Sequence, residues 1–409
     1  MQQLNRAKVL AAAREEFTAR GYPGAKVDSI AERAGLTRGA VYSNFPGKRA
    51  LYFAVLAELA ESAPETSTSL AVDCTPRSAL ALFARTWTAR LPLAGDRASY
   101  DGASYDGASS GDDLLDGGLA RLDTHLMSEV LADERTRRPY GQLLKLDALL
   151  LGLALEQLLP VRAPSDHEGP AEGPRMVRVA ESVLTSLHGA RQLADAAPGF
   201  IEPFTVIHAC ERFADATPHD TWAPPHLPYV PRARPVDDPW PCASAFDVSP
   251  TGSRAGSRAG ADPAANPAFV DAVRGTPARL GADGVLAVLG LHRLEAVEEA
   301  VRSAPPGATV TVALVSGCPD ELIPLARLTI ADVVSCLRAS FPVASWPRLQ
   351  VVYDASGSLA SAAGLPAVSD GTEAAVRIAG GRIVARADGR GACHAAATAG
   401  LARPVPASG

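Results

Sequence analysis

Apolar side chains recur at helical spacing through the first two hundred residues. Leu10, Ala13 and Phe17 form one stripe of residues 4–20 with charges opposite, which predicts an amphipathic first helix that Gly21 ends. A second helix is predicted over 27–34, with Ile30, Ala31 and Ala34 inward, and Gly35 breaks it. Thr37 is placed to cap a short helix over 38–44, which Pro46 and Gly47 stop. A longer helix then begins near Lys48 and carries Leu51, Val55 and Leu59. Further helices are expected over 78–91 (Leu80, Phe83 and Trp87 on one face), 114–131 (Leu122, Leu126, Val130), 139–159 and 176–193. The segment 139–159 is apolar nearly all round, so it must be buried on several sides. Paired with 176–193, it is expected to form a two-fold, four-helix interface between two copies.

The pattern changes after residue 200. Residues 201–267 are rich in Pro, with Arg-Ala-Gly-Ser repeats at 253–260, and read as an extended connector. From 268 onward strand-like runs (283–290, 308–316, 349–353, 374–378, 382–386) alternate with helical ones (292–303, 319–340). That alternation implies an α/β domain. A duplicated ASYDG at 98–107 and a Pro/Gly/acid stretch at 163–174 lack apolar content and read as loops. The expected organisation is therefore multi-domain: an all-α head (1–58), a helical body (59–200), the connector (201–267) and an α/β domain (268–409). The length of 409 residues and the 47% hydrophobic content fit two or three globular domains.

Charge separates the head from the rest. Residues 1–60 hold nine Lys/Arg against five Asp/Glu, a balance of +4 in a chain whose net charge is −6. A basic head on an acidic body fits a local phosphate-binding surface. Arg14, Glu15 and Glu16 interrupt any secretory apolar core, and the dozen apolar residues of 148–159 are too few for a membrane span. Six scattered cysteines without a CxxC pair read as reduced thiols, and the chain is expected to be cytoplasmic. No metal-ligand cluster, P-loop, GxSxG or paired cysteine is present, so neither a cofactor nor an enzymatic activity is expected.

The order helix, helix, glycine turn, short capped helix, helix is that of a helix-turn-helix, whose second helix enters the major groove of DNA. The string IAERAGLTRGAVYSNFPGKRALY at 30–52, preceded by EEFTARGYPGAKV, resembles the DNA-binding domain of the TetR family. Gly21-Tyr22, Ile30-Ala31, Ala34-Gly35, Thr37, Gly39, Tyr42, Phe45 and Lys48 carry that likeness over about residues 5–58. The resemblance implies a homodimeric transcriptional regulator. A small-molecule effector in the helical body would release it, as a repressor, from double-stranded operator DNA. The DNA contacts it implies are Lys26, Thr37, Arg38, Gly39, Tyr42, Ser43, Asn44 and Lys48. Two positions depart from the pattern: Ala25-Lys26 stands where a small hydroxyl residue is common, and Asn44 where His is common. By side-chain type alone, Phe83, Trp87, His125, Met127 and Leu146 are the candidate effector contacts.

The C-terminal region loosely resembles a thioredoxin-like or peroxiredoxin-like fold. VVYDASGSLASAAGL matches its strand, Asp, turn and helix, and AAVRIAGGRIVARADG its closing hairpin. The reactive-cysteine position reads GLHRLE, and the Pro expected before the 374 strand is missing. Thiol exchange needs a thiolate, so that chemistry is expected to be lost. An alternative keeps a redox-sensing regulator that uses Cys318, Cys336 or Cys393.

Overall fold

The computed structural model describes residues 2–62, 74–91, 125–159, 174–216, 220–225, 230–244 and 266–400. The chain divides into two compact units, Met1–Trp222 with Asp320–Pro347, and Ala223–Pro319 with Arg348–Gly409.

The described part of the first unit is helical. Helix α1 (Gln2–Gly24) runs as expected to Gly21, whose φ of +64° breaks it before one further turn. Helix α2 (Val27–Ala34) ends at Gly35 in the left-handed region, where the Gly35 and Leu36 amides donate to the Glu32 and Ala31 carbonyls. Only glycine adopts that conformation without strain. Helix α3 (Arg38–Asn44) is capped by Thr37, whose hydroxyl accepts from Ala40 N at 3.2 Å. Helix α4 (Lys48–Ser62) leads into the body and buries ten of its side chains.

The body contains α5 (Pro76–Thr88), α6 (Leu126–Leu131), α7 (Glu134–Gln157), α8 (Val177–Ala196) and α9 (Pro203–Phe213). A capping box between Thr75 and Ser78 starts α5. Helix α7 begins a turn before the expected Pro139, because the Asp133 side chain caps it through Arg135 N at 3.0 Å. Residues 114–124 of one expected helix, the ASYDG repeat and most of 163–174 lie outside the described residues. Helix α9 forms where the sequence suggested only connector: Pro203 fits the first turn of a helix, and Ile207 and Cys210 bury its inner face.

Helix α7 is covered within the single chain. Every residue from 146 to 155 is buried, which removes the free face expected for pairing two copies. Close packing on α8 explains part of this. A Cβ on Gly152 would stand 2.9 Å from Val177 Cα, so the two backbones approach where only glycine fits. The same helix carries Asp147, fully buried with neither carboxylate oxygen bonded. Desolvation, with Asp332 second, holds its carboxyl well above the usual range.

The second unit is built on a six-stranded mixed sheet, ordered β1-β8-β7-β4-β5-β6. Its strands are β1 (Arg234–Pro239), β4 (Gly284–Gly290), β5 (Thr309–Val315), β6 (Leu349–Tyr353), β7 (Glu373–Ala379) and β8 (Arg382–Asp388). A separate hairpin joins β2 (Asn266–Asp271) to β3 (Thr276–Ala278). Parallel β4-β5-β6 is extended on the β4 side by the antiparallel hairpin β7–β8. All seven residues of β4 are buried, as a central strand requires. Helices α10 (Ala296–Ser303), α11 (Pro319–Ser340), α12 (Ser358–Ala362) and α13 (Ala392–Ala397) are the remaining α-helices among the described residues. The core gathers Trp240, Leu286, Val288, Val315, Val352 and Ile378.

Two features depart from the sequence reading. β1 lies inside the expected connector, with Pro235 and Pro239 in it; it pairs with β8 at the sheet edge, where a missing N–H is tolerated. Residues 320–347, including nearly all of α11, belong to the first unit although they fall between β5 and β6.

Burial of one acid in the second unit gives a pH dependence. Desolvation, then Glu373, push the Glu299 carboxyl up to about 7, against the opposing charges of Arg293 and Arg390. Because the folded value lies above the unfolded one, its contribution is complete below the unfolded pKa near 4.5 and is lost as pH rises through about 7. Glu299→Gln is therefore expected to stabilise the protein at pH 8 by about 1 kcal/mol, allowing for solvent screening of a half-buried group, and not at pH 4. Denaturant unfolding at the two pH values checks this. An equal effect at both contradicts it.

Candidate nucleic-acid interface and a pocket in the body

Short polar and glycine positions keep one face of α3 open. Val41 and Phe45 bury the inner side, and Thr37, Arg38, Gly39, Tyr42 and Ser43 are exposed. Arg38 is oriented by neighbours: its guanidinium lies 5.6 Å from the centre of the Tyr42 ring and bonds Asp28 at 3.2–3.3 Å. The Tyr42 hydroxyl, then Asp28, raise its pKa, so it stays charged. Tyr42 is 42% exposed, a large ring left in solvent beside a cation.

Gly39 is informative because the protein does not require it. Its φ is not positive, and a Cβ there would meet nothing nearer than Thr37 Oγ1 at 3.9 Å. A glycine in a helix costs roughly 0.5–1 kcal/mol relative to alanine. Nothing inside the head offsets that, so the space it leaves is on the outer side.

The remaining predicted contacts divide. Lys26 is exposed at the start of α2, and its backbone amide donates to Glu16 Oε1 at 3.4 Å. Asn44 turns back to the Ala40 carbonyl at 2.8 Å, and its own carbonyl accepts from Arg6 at 2.9 Å. Lys48 is folded against the head, its amine 3.3 Å from the Pro23 carbonyl and 4.6 Å from the Tyr22 ring centre. Burial lowers its pKa. The exposed set is therefore Lys26, Thr37, Arg38, Gly39, Tyr42 and Ser43.

Within the body, a cavity of about 260 Å³ is lined by Leu126, Met127, Tyr140, His188, Arg191, Gln192, Asp195 and Ala196. The last five lie on one face of α8. Of the residues chosen from sequence, Met127 lines it. Trp87 stands behind His188, edge to face at 4.9 Å, while Phe83 and Leu146 are wholly buried in packing. His188 Nε2 is buried without a partner, and desolvation lowers its pKa, keeping the ring neutral.

His125 plays a different part, standing over the break in α1: a Cβ on Gly21 would lie 3.8 Å from its Nε2. The short helix that follows it, α6, faces two ways. Leu126 and Met127 border the cavity, while the Tyr22 hydroxyl of the head bonds Glu129 and the Tyr52 hydroxyl meets the His125 backbone. Sequence reading missed Tyr22 and Glu129 as a pair, since nothing in spacing joins residues so far apart.

The three cysteines considered for redox sensing differ sharply. Cys336 and Cys393 are fully buried; desolvation pushes Cys336 up to about 11 and Cys393 well above its usual value. Neither presents a thiolate. Cys318 is exposed after β5, its amide donating to Ser316 Oγ at 2.9 Å. At the position of the expected reactive cysteine, Leu291 is buried and His292 donates its amide to the Asp370 carbonyl.

Residues 9–55 match the family model described as bacterial regulatory proteins, tetR family. Over 52 residues the chain is 52% identical to an uncharacterized HTH-type transcriptional regulator of Pseudomonas putida, TtgW, covering 13% of this chain and 39% of that one. It is 50% identical over 52 residues to the HTH-type transcriptional regulator SrpR of Pseudomonas putida, covering 13% and 24%. It is 47% identical over 51 residues to the HTH-type transcriptional activator FasR of Mycolicibacterium smegmatis, covering 12% and 23%. The chain thus spans less than half the length of each of these relatives, and the shared stretch is the head. Residues 9–55, which carry the open face of α3 and its glycine, are thus the part of the chain that matches the tetR family of bacterial regulatory proteins.

Proposed function

We propose that this chain is a sequence-specific transcriptional regulator that binds operator DNA through α3 and is released, as a repressor, by a small molecule in the cavity of the body. The observation that carries the reading is the outer face of α3: an oriented, charged Arg38, an exposed Tyr42 and a Gly39 that the head itself does not need. Arg38 is suited to a guanine edge or a phosphate, and Lys26 to a phosphate. α6 supports the effector step, since a ligand against Leu126 and Met127 would move the helix that also holds Tyr22 and Tyr52. We read the second unit as a thioredoxin-like scaffold without its thiol chemistry, in support of which stand parallel β4-β5-β6, the flanking hairpin β7–β8 and the lack of a cysteine in the segment GLHRLE directly after β4.

Pairing of two copies moves, in this reading, from α7 to the corner of α8 and α9. Phe200 and Phe204 are 71% and 68% exposed there, and Leu193 of α8 is 42% exposed. An exposed apolar cluster of that kind marks an association surface. Two heads would then read half-sites about 34 Å apart or a small multiple of that.

Three outcomes are expected. Gly39→Ala should leave thermal unfolding unchanged or slightly raised yet weaken promoter-fragment binding, and Arg38→Ala should cost about 1–3 kcal/mol of binding. If both variants bind like wild type in a gel-shift titration, α3 is not the recognition element. Phe200→Glu with Phe204→Glu should convert a dimer to a monomer in analytical ultracentrifugation; an unaltered sedimentation coefficient would rule out this surface. Small amphiphilic compounds that raise the melting temperature should lose that effect in Met127→Trp and should weaken operator binding by wild type. Compounds that shift both proteins equally bind elsewhere.

A further inference from the structure

Helix α11 is joined to the second unit at both ends, following β5 and preceding β6, yet residues 320–347 pack in the first unit. Its partners there follow α4, the helix that connects head to body. Glu321 pairs with Arg49, one residue inside the start of α4, and Arg49 also bonds Asp133 at 3.1 Å. Six residues later Arg327 grips Glu61, near the far end of α4, through one guanidinium edge, Nε and Nη2 donating to the two carboxylate oxygens, with Nε to Oε1 at 2.8 Å. Asp332 then lies between Arg90, 4.0 Å away beyond α5, and Arg191 of α8, 3.4 Å away. Along its length Leu325, Ile330, Val333 and Leu337 are buried.

A helix bridged to α4 near both ends fixes the tilt of α4. The charges are complementary in register: an acid of α11 meets the base at the start of α4, and a base of α11 meets the acid at its end. The Arg49 and Glu321 side chains are about four-fifths buried, so salt screens that pair less than a surface one. We propose that α11 is a clamp that sets the position of α4, and with it the DNA-binding head. This goes beyond the effector reading and does not depend on it.

The test is hydrogen exchange across residues 48–62, together with promoter-fragment affinity, on the full chain. Arg327→Glu should speed exchange in α4 by about fivefold and shift the affinity by about threefold or more, and adding Glu61→Arg should restore both. If Arg327→Glu does not fold, Glu321→Gln should give a smaller rise of the same kind. Exchange in α4 that ignores Arg327→Glu, or that Glu61→Arg fails to restore, overturns the clamp.

Discussion

Phe17, Tyr22 and Tyr52 meet with ring centres 4.6–6.0 Å apart, where the break in α1 faces α4. Edge-on and tilted ring pairs of this sort hold their partners in defined orientation as well as burying area. Much in the first unit depends on that contact. It sets the angle at which α1 and its last turn lie on α4, and α3 in turn packs on α1 and α2. The hydroxyls of the same two tyrosines reach out of the cluster to α6. A single aromatic knot therefore packs the head and ties it to the wall of the cavity. The glycine at position 21 is what lets Tyr22 turn into the knot.

Polar groups buried without partners show where the fold accepts a cost. Asp147 and His188 Nε2 lie in the body, and Glu299 Oε2 in the second unit. A buried unsatisfied polar group costs on the order of 1–3 kcal/mol. His188 lines the cavity, and Asp147 lies two turns along α7 from Tyr140, which also lines it. Well-satisfied acids provide the contrast. Glu373 accepts from Arg293 and from Gly391 N, and Asp354 caps α12 through Ala360 N.

The head was almost wholly legible in the sequence, because its signals are local. Gly35 and Thr37 act within a few residues of themselves, and the helical period shows directly in Leu10, Ala13 and Phe17. The body was legible as helices but not as a site. Phe83 and Trp87 were sound choices for burial, yet which buried side chain borders a void depends on how helices pack, and His188, Gln192 and Asp195 gave no sign of it. The longest-range features were invisible for the same reason. Nothing near Glu321 or Arg327 marks their partners, more than 260 residues earlier. Proline density misled at 234–239, since the usual argument against a strand holds for central strands and not for an edge.

The proline-bearing edge has a consequence for how copies of this chain behave together. An open sheet edge is a template on which another chain can add a strand, and long flat edges polymerise by that route. β1 offers a poor template. Pro235 and Pro239 present no N–H, the register is interrupted between Pro235 and Asp238, and Asp237 and Asp238 pair with Arg382 and Arg386 on β8. Six residues that look unfit for a sheet thus close that edge of it to further growth.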